Sequence, residues 1–250
     1  VEELEKLMKA FSQDVRLQAF ITLAFESLGR PQEILYTKIK DVEIFDNYAK
    51  IWISEHGKEG VGFLQSIDSF PYIVKWFNVH PLKHNPDAFF FINLGDFGKY
   101  EQLKPVTINK HLRLKLKMLK INKRITCYSF KRNGVTYRRL RGDSDAMIQH
   151  TARWTSTKQL KTYDYSNQEE TFKIELSKRG LLKDKKYKEY QITTKKCLYC
   201  ETINGIADDI CANCRRPLDR TKIIAEAESK EKELQELKKQ MEELPRMINE

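Results

Sequence analysis

Apolar side chains recur mostly at helical spacing through the first thirty residues, at Leu7, Phe11, Val15, Leu17, Phe20, Leu23 and Leu28. This is the period of one helix face, so the pattern predicts two opening helices. The period then changes to two in residues 42–45 and 49–54, on either side of Asp46-Asn47, which predicts a β-hairpin. Residues 60–67 add a third strand after a glycine-rich turn.

Helical patterns return after the strands and predict further helices over residues 71–79, 107–120, 129–141, 144–152 and 156–163. Helices that surround one small antiparallel sheet predict a mainly α domain over residues 1–165. The next segment, residues 166–195, is polar and rich in Lys and Glu, which predicts a helix followed by an exposed linker.

The C-terminal segment, residues 220–250, places apolar side chains three and four positions apart among Glu and Lys, at Ala227, Leu234, Leu237, Met241, Leu244 and Ile248. This spacing predicts a coiled-coil-like helix, which Pro245 interrupts near its end. Such a helix either folds back on its own domain or binds a protein partner.

Positive charge is concentrated in the middle of the chain. The formal net charge is +10, and from Lys104 to Arg141 there are thirteen Lys or Arg residues and no Asp or Glu. A stretch of one sign is typical of a surface that binds the phosphate backbone of a nucleic acid. The alternative is a solvated face that binds nothing. The candidate DNA contacts are Lys110, Arg113, Lys117, Arg138 and Arg139.

Membrane and secretion signals are absent from the sequence. No stretch approaches the roughly 18 apolar residues that span a bilayer, so no membrane partner is expected. The first residues, Val1-Glu-Glu-Leu-Glu5, lack the features of a signal peptide and an initiator Met, so we expect a fragment or a processed chain. Its expected location is the cytoplasm, in association with the nucleoid.

Four of the five cysteines form two Cys-x-x-Cys pairs ten residues apart, within residues 196–219: Cys197, Cys200, Cys211 and Cys214. In a basic chain without a signal peptide, this pattern indicates metal binding in a reducing compartment. Four thiolates make a closed tetrahedral site, so we predict a small zinc ribbon with a structural Zn²⁺. A redox pair and free thiols are the alternatives, and the fifth cysteine, Cys127, is predicted to be a buried core thiol.

Two basic residues, Arg30 and Lys58, lie at predicted turns, where they can bind a substrate. Gly29 ends one helix and Pro31 suits the first position of the next, so Arg30 is fixed at the junction, where Glu33 can hold its guanidinium. A guanidinium can bind two phosphate oxygens at once. Lys58 lies in the glycine-rich turn between the predicted second and third strands.

The sequence after the basic stretch contains Trp154 and, nine positions later, Tyr163. Either aromatic residue alone is more often part of a core. In the order Arg30, Lys58, Tyr128-Ser-Phe-Lys-Arg132, Trp154 and Tyr163, however, the series resembles the active site of the tyrosine recombinases, the phage-integrase family. The linker and cysteine module that follow resemble archaeal members of this family.

The resemblance implies the tyrosine recombinase catalytic fold and a strand-exchange reaction that needs no cofactor. Tyr163 would attack the scissile phosphate and form a 3′-phosphotyrosyl link with a free 5′-hydroxyl. Lys58 would protonate the leaving oxygen, while Arg30, Tyr128, Lys131 and Trp154 stabilise the charge on phosphorus. The family also implies double-stranded DNA as the partner and a tetrameric synapse on that DNA.

The chain departs from the family at the box that usually has His-x-x-Arg. Tyr128 stands at the His position and Lys131 at the Arg position, with Arg132 as the alternate one residue later. Tyrosine is a poor base at neutral pH, and lysine lacks the bidentate fork. Tyr165 is the alternate nucleophile. A catalytically weakened DNA-binding protein and an adaptor that acts through its zinc module therefore remain alternatives.

Overall fold

The structure is a computed structural model, and it describes residues 2–53, 61–182, 194–219, 221, 224 and 228–238. The chain divides into two compact units. The first comprises residues 1–193 with 205–207, and the second comprises residues 194–204 with 208–250. Among the described residues, no helix combines the length and the apolar composition needed to cross a membrane.

The first unit opens with two helices, as the apolar spacing predicted. These are α1 (Glu2–Ala10) and α2 (Val15–Ser27). The carboxylate of Asp14 accepts a hydrogen bond from the backbone N–H of Leu17 at 3.0 Å, which caps α2. Helix α2 is buried along almost its whole length and forms the centre of the main core.

A three-stranded antiparallel sheet follows, with β1 (Val42–Ile44), β2 (Ala49–Ile53) and β3 (Gly62–Ser66) in the order β1-β2-β3. Successive side chains of this sheet point to opposite faces, one buried and one exposed. Ile51 and its partner Leu64 are fully buried, whereas Trp52 and its partner Phe63 lie on the exposed face. The predicted strands are confirmed, although β3 is shorter than the predicted 60–67.

The remaining helices are α3 (Pro31–Leu35), α4 (Phe70–Val79), α5 (Pro105–Met118), α6 (Ser129–Arg141), α7 (Asp145–Thr151), α8 (Leu160–Tyr163) and α9 (Gln168–Lys178). Helices α4 to α7 lie within a few residues of their predicted ends, α3 begins at Pro31 as expected, and α9 lies in the polar segment 166–195. The predicted single helix over 156–163 is wrong in one respect. It begins as a 3₁₀ helix, Thr157–Gln159, and becomes α-helical only in α8. The hydroxyl of Ser156 accepts from the N–H of Lys158, so the tight first turn starts at a side-chain cap.

Two apolar clusters hold the first unit together. The larger one contains α2 and the inner face of the sheet, with Phe20, Phe90 and Phe91 packed edge to face, and it includes Cys127 as predicted. The smaller cluster joins α6 to the segment after it, through Leu28, Val135, Ile148, Ala152, Trp154 and Leu160, with Tyr163 packed against it. The last helices of this unit therefore have a core of their own.

A buried carboxylate connects α2 to the start of α4. The side chain of Glu26 accepts hydrogen bonds from the backbone N–H groups of Ile67, Asp68 and Ser69, at 2.8, 3.1 and 2.8 Å, and from the Ser69 hydroxyl at 2.7 Å. An anion at a helix N-terminus satisfies N–H groups that have no partner within the helix. Burial, reinforced by the negative charge of Glu26, raises the pKa of Asp68 to about 6.

The second unit contains a short two-stranded sheet, β4 (Lys195–Lys196) paired with β5 (Ile203–Asn204), and a helix over residues 228–238. Leu234 and Leu237 of this helix are more than half exposed. The other apolar positions of the predicted C-terminal helix lie outside the described residues, so the coiled coil stays a prediction.

Candidate active site and cysteine cluster

Lys131 lies against the rings of Trp154 and Tyr163 at the smaller apolar cluster, and we call these three residues the aromatic–lysine cluster. Lys131 is only 2% exposed. Its ammonium nitrogen lies 5.5 Å from the ring centre of Trp154 and 5.3 Å from that of Tyr163. The two rings stack with their centres 5.4 Å apart. A lysine is rarely buried this fully, and here its charge lies against two aromatic faces.

Trp154 offers a hydrogen-bond donor in this cluster. Its side chain is buried, and its indole N–H has no hydrogen-bond partner among the described residues. A buried donor without an acceptor costs free energy, which is recovered when an acceptor binds. An indole can donate this bond but cannot take up a proton.

Tyr163 ends α8, and its backbone is held by a residue that the sequence did not single out. The hydroxyl of Thr136 on α6 donates to the carbonyl oxygen of Tyr163 at 3.3 Å and accepts from the N–H of Tyr165 at 3.0 Å. One hydroxyl thus holds the chain on both sides of Asp164. The Tyr163 side chain is half-buried, whereas that of Tyr165 is 59% exposed.

Arg30 lies at the junction that the sequence predicted, directly before α3. Its N–H donates to the Glu33 carboxylate at 3.0 Å. A Cβ atom on the preceding residue, Gly29, would lie 2.9 Å from the Leu64 side chain, so glycine permits close packing of the junction on β3. Glu33 also accepts from the guanidinium of Arg153 at 2.8 Å, a contact that the sequence did not reveal.

The remaining predicted catalytic residues are exposed or lie outside the described residues. Tyr128 directly precedes α6 and is 45% exposed. Arg132 is exposed, because one residue along a helix turns the side chain by about 100°. Lys131 therefore faces the two rings and Arg132 does not. Lys58 lies in the segment between β2 and β3, outside the described residues.

Three of the five predicted DNA contacts form a stripe on α5. Lys110, Arg113 and Lys117 are all exposed and follow a three-and-four spacing, which places them on one helix face. We call these three residues the α5 stripe. Arg139 is 40% exposed in its side chain and pairs with Asp145 and, at 3.5 Å, with Asp164.

Arg138 differs from its prediction. Its guanidinium is buried, donates to the backbone carbonyl of Glu26 at 2.9 Å, and pairs with Asp143 at 2.9 Å. The side chain therefore joins α6 to the end of α2 rather than facing solvent. With its guanidinium buried and paired in this way, Arg138 does not present the exposed charge that the predicted DNA contact needs.

The four paired cysteines meet in the second unit, and we call them the cysteine cluster. Their sulfur atoms all lie within 4.8 Å of one another, with 3.6 Å between Cys197 and Cys214 and 3.5 Å between Cys200 and Cys211. Zn–S bonds of about 2.3 Å in a tetrahedron place sulfurs roughly 3.8 Å apart, so the donor set fits Zn²⁺. Hydrogen bonds from Thr202 lower the pKa of Cys200 to about 6, whereas burial and the neighbouring thiols raise the pKa of Cys214 to about 11.

Similar folds occur among known recombinases. The structure of XerA recombinase matches with a TM-score of 0.58 and 16% identity, over 71% of this chain and 61% of that one. XerH site-specific recombinase, bound to a palindromic difH substrate, matches with a TM-score of 0.55 and 17% identity, over 72% and 50%. A lambda integrase dimer bound to a COC′ core site matches with a TM-score of 0.51 and 16% identity, over 65% and 46%.

The chain thus covers less than two thirds of each of these three structures, and at such identities the likeness shows the fold. The search of curated proteins finds no match. The model of the phage integrase family, in contrast, matches residues 1–170, which is more than half of the sequence. The chain therefore belongs to the phage integrase family.

Proposed function

We propose that this chain is a site-specific DNA recombinase that cleaves and rejoins DNA through a 3′-phosphotyrosine. The observation that carries the proposal is the aromatic–lysine cluster. A cation, an indole donor and a tyrosine from separate parts of the sequence lie in contact, at the positions where the family has its second basic residue, its His or Trp, and its nucleophile.

The proposed reaction is the attack of the Tyr163 oxygen on a backbone phosphorus, with the phenolic proton released to solvent. The bond from phosphorus to the 5′-oxygen breaks, and Lys58 supplies the proton to that oxygen. Arg30 and Lys131 place positive charge on the pentavalent transition state, and Tyr128 and Trp154 donate hydrogen bonds to its oxygens. Preorganised charge of this kind is usually the largest part of such catalysis. In the reverse step, a 5′-hydroxyl from a partner strand attacks the phosphotyrosine, so no cofactor is consumed.

Double-stranded DNA is the proposed substrate, held by the α5 stripe and Arg139. Among the similar structures, XerH is bound to difH DNA, and lambda integrase occurs as a tetramer bound to a Holliday junction. We propose that this chain likewise binds DNA and forms a tetrameric synapse. The proposed catalytic domain is residues 1–165, followed by the linker 166–195, the zinc module 196–219 and the C-terminal helix 220–250.

The cysteine cluster is proposed to hold one structural Zn²⁺. Four thiolates complete a tetrahedron and leave no coordination site for substrate, so this ion supports folding and takes no part in strand transfer. The C-terminal helix remains a proposed site for a protein partner, because Leu234 and Leu237 are exposed.

A second candidate function is DNA binding with weakened catalysis. The exposed Tyr128 favours it, since a tyrosine replaces the histidine that the family uses beside the phosphate. The two functions differ in a single product, the covalent protein–DNA adduct.

The test uses a nicked duplex whose cleaved strand cannot religate. The parent chain should form an adduct that resists denaturant, and Tyr163→Phe should abolish it while DNA affinity stays nearly unchanged. Tyr165→Phe is the matched control and should keep the adduct. Tight, salt-sensitive binding by the parent chain without any adduct would favour the second candidate function.

A further inference from the structure

Arg153 adopts an unusual backbone conformation directly before Trp154. Its φ is +56°, in the left-handed region that side chains rarely occupy. The residue follows α7, a position where glycine fits without strain. The Arg153 side chain makes its polar contact and its closest packing with residues far away in the sequence.

The Arg153 guanidinium forms a buried ion pair across the molecule. It donates to the Glu33 carboxylate at 2.8 Å, and the two side chains are only 8% and 5% exposed. A Cβ atom on Gly62 would lie 2.9 Å from Cδ of Arg153, so the first residue of β3 leaves space for the arginine stem. Arg153 thus contacts the start of α3 and β3 at once.

Glu33 connects Arg153 to Arg30, the predicted phosphate-binding arginine. The same carboxylate oxygen that pairs with Arg153 accepts the backbone N–H of Arg30 at 3.0 Å. Its other oxygen is buried and accepts no hydrogen bond from the described residues. The position of Arg30 and the charge beside it therefore depend on a carboxylate that Arg153 neutralises.

We propose that Arg153 is a positioning residue that acts on Arg30 through Glu33. Removing one partner of a buried pair leaves the other charge uncompensated. A Glu33 carboxylate without Arg153 would repel the phosphate and attract the Arg30 guanidinium away from it. This inference rests on the proposed function, because it assigns Arg153 a part in the same reaction.

The experiment compares Arg153→Gln, Glu33→Gln and the double variant, with adduct formation on the nicked duplex as the readout. Arg153→Gln should slow adduct formation by about 30-fold or more, because the buried carboxylate keeps its charge. Adding Glu33→Gln should restore most of the rate, since two neutral side chains carry no uncompensated charge. Arg153→Lys should retain more activity than Arg153→Gln. Arg179→Gln removes an exposed arginine and serves as the control.

Two results would overturn the inference while the proposed function stands. One is an unchanged rate in Arg153→Gln, and the other is a double variant slower than either single variant, which would show that Arg153 and Glu33 act independently. If the parent chain forms no adduct, the proposed function fails. The affinity of the same variants for the nicked duplex then decides the inference. Weaker binding by Arg153→Gln that Glu33→Gln restores supports it, and equal affinities overturn it.

Discussion

Arg138→Gln should destabilise the first unit without altering how it binds DNA. The change removes a guanidinium that bonds the Glu26 carbonyl at 2.9 and 3.3 Å and the Asp143 carboxylate at 2.9 Å. Breaking a buried pair costs about 3–5 kcal/mol, and Asp143 keeps Arg141 as a partner at 2.5 Å, so we expect about 3 kcal/mol. For a unit of this size, that loss lowers Tm by about 6–12 °C.

The assay measures thermal unfolding and the salt dependence of DNA affinity on the same variants. Each phosphate contact contributes about 0.9 to the slope of log affinity against log salt. Replacing the α5 stripe with Gln should therefore lower this slope by up to about 2.7, with little change in Tm. Arg138→Gln should give the opposite pattern. An unchanged Tm together with a slope reduced by about one would refute the structural role of Arg138.

Three further predictions concern pH, metal and the departure from the family pattern. Because the pKa of Asp68 is higher in the folded state than in the unfolded one, the free energy of unfolding falls as pH rises from about 4 to 6. Asp68→Asn should remove this fall and, after allowance for partial exposure, stabilise the protein by about 1–2 kcal/mol at pH 7. A gain in Tm that does not change with pH would show that the raised pKa of Asp68 is not the cause. The cysteine cluster should bind one Zn²⁺ per chain, and Cys211→Ser should abolish this binding. Elemental analysis that finds clearly less than one zinc per parent chain, prepared without chelator, would contradict the zinc site. Lys131→Arg should raise adduct formation about tenfold through bidentate phosphate contact, whereas Arg132→Ala should change it little; the reverse order would show that the second basic residue is Arg132.

Local sequence patterns predicted the helices and strands well, because these elements depend mainly on residues that are neighbours in the sequence. The strand β2 alternates cleanly, with Ala49, Ile51 and Ile53 buried, so its period of two was visible without the fold. Helix α6 occupies the predicted range, because its end is marked by Gly142 in a left-handed conformation. The separate 3₁₀ turn before α8 has no comparable signal in the sequence.

Contacts between distant residues could not be predicted in this way. Arg138 belongs to a run of positive charge, and the sequence does not show that its buried guanidinium donates to the carbonyl of Glu26, 112 positions away. Arg153 meets Glu33 across 120 positions, and neither residue type identifies the other in the sequence. Similarly, both Lys131 and Arg132 are basic, and it is the rotation of α6 that turns Lys131 toward the two rings.

The most direct test of the central claim is mass spectrometry of the trapped protein–DNA adduct after proteolysis and nuclease digestion. The account predicts a nucleotide linked through its 3′-phosphate to the peptide containing Tyr163, with the modification on that tyrosine. Because Tyr163 and Tyr165 share a peptide, fragmentation must separate them. A nucleotide on Tyr165 or Tyr128, or an unmodified Tyr163 in a chain that binds DNA tightly, would contradict the account.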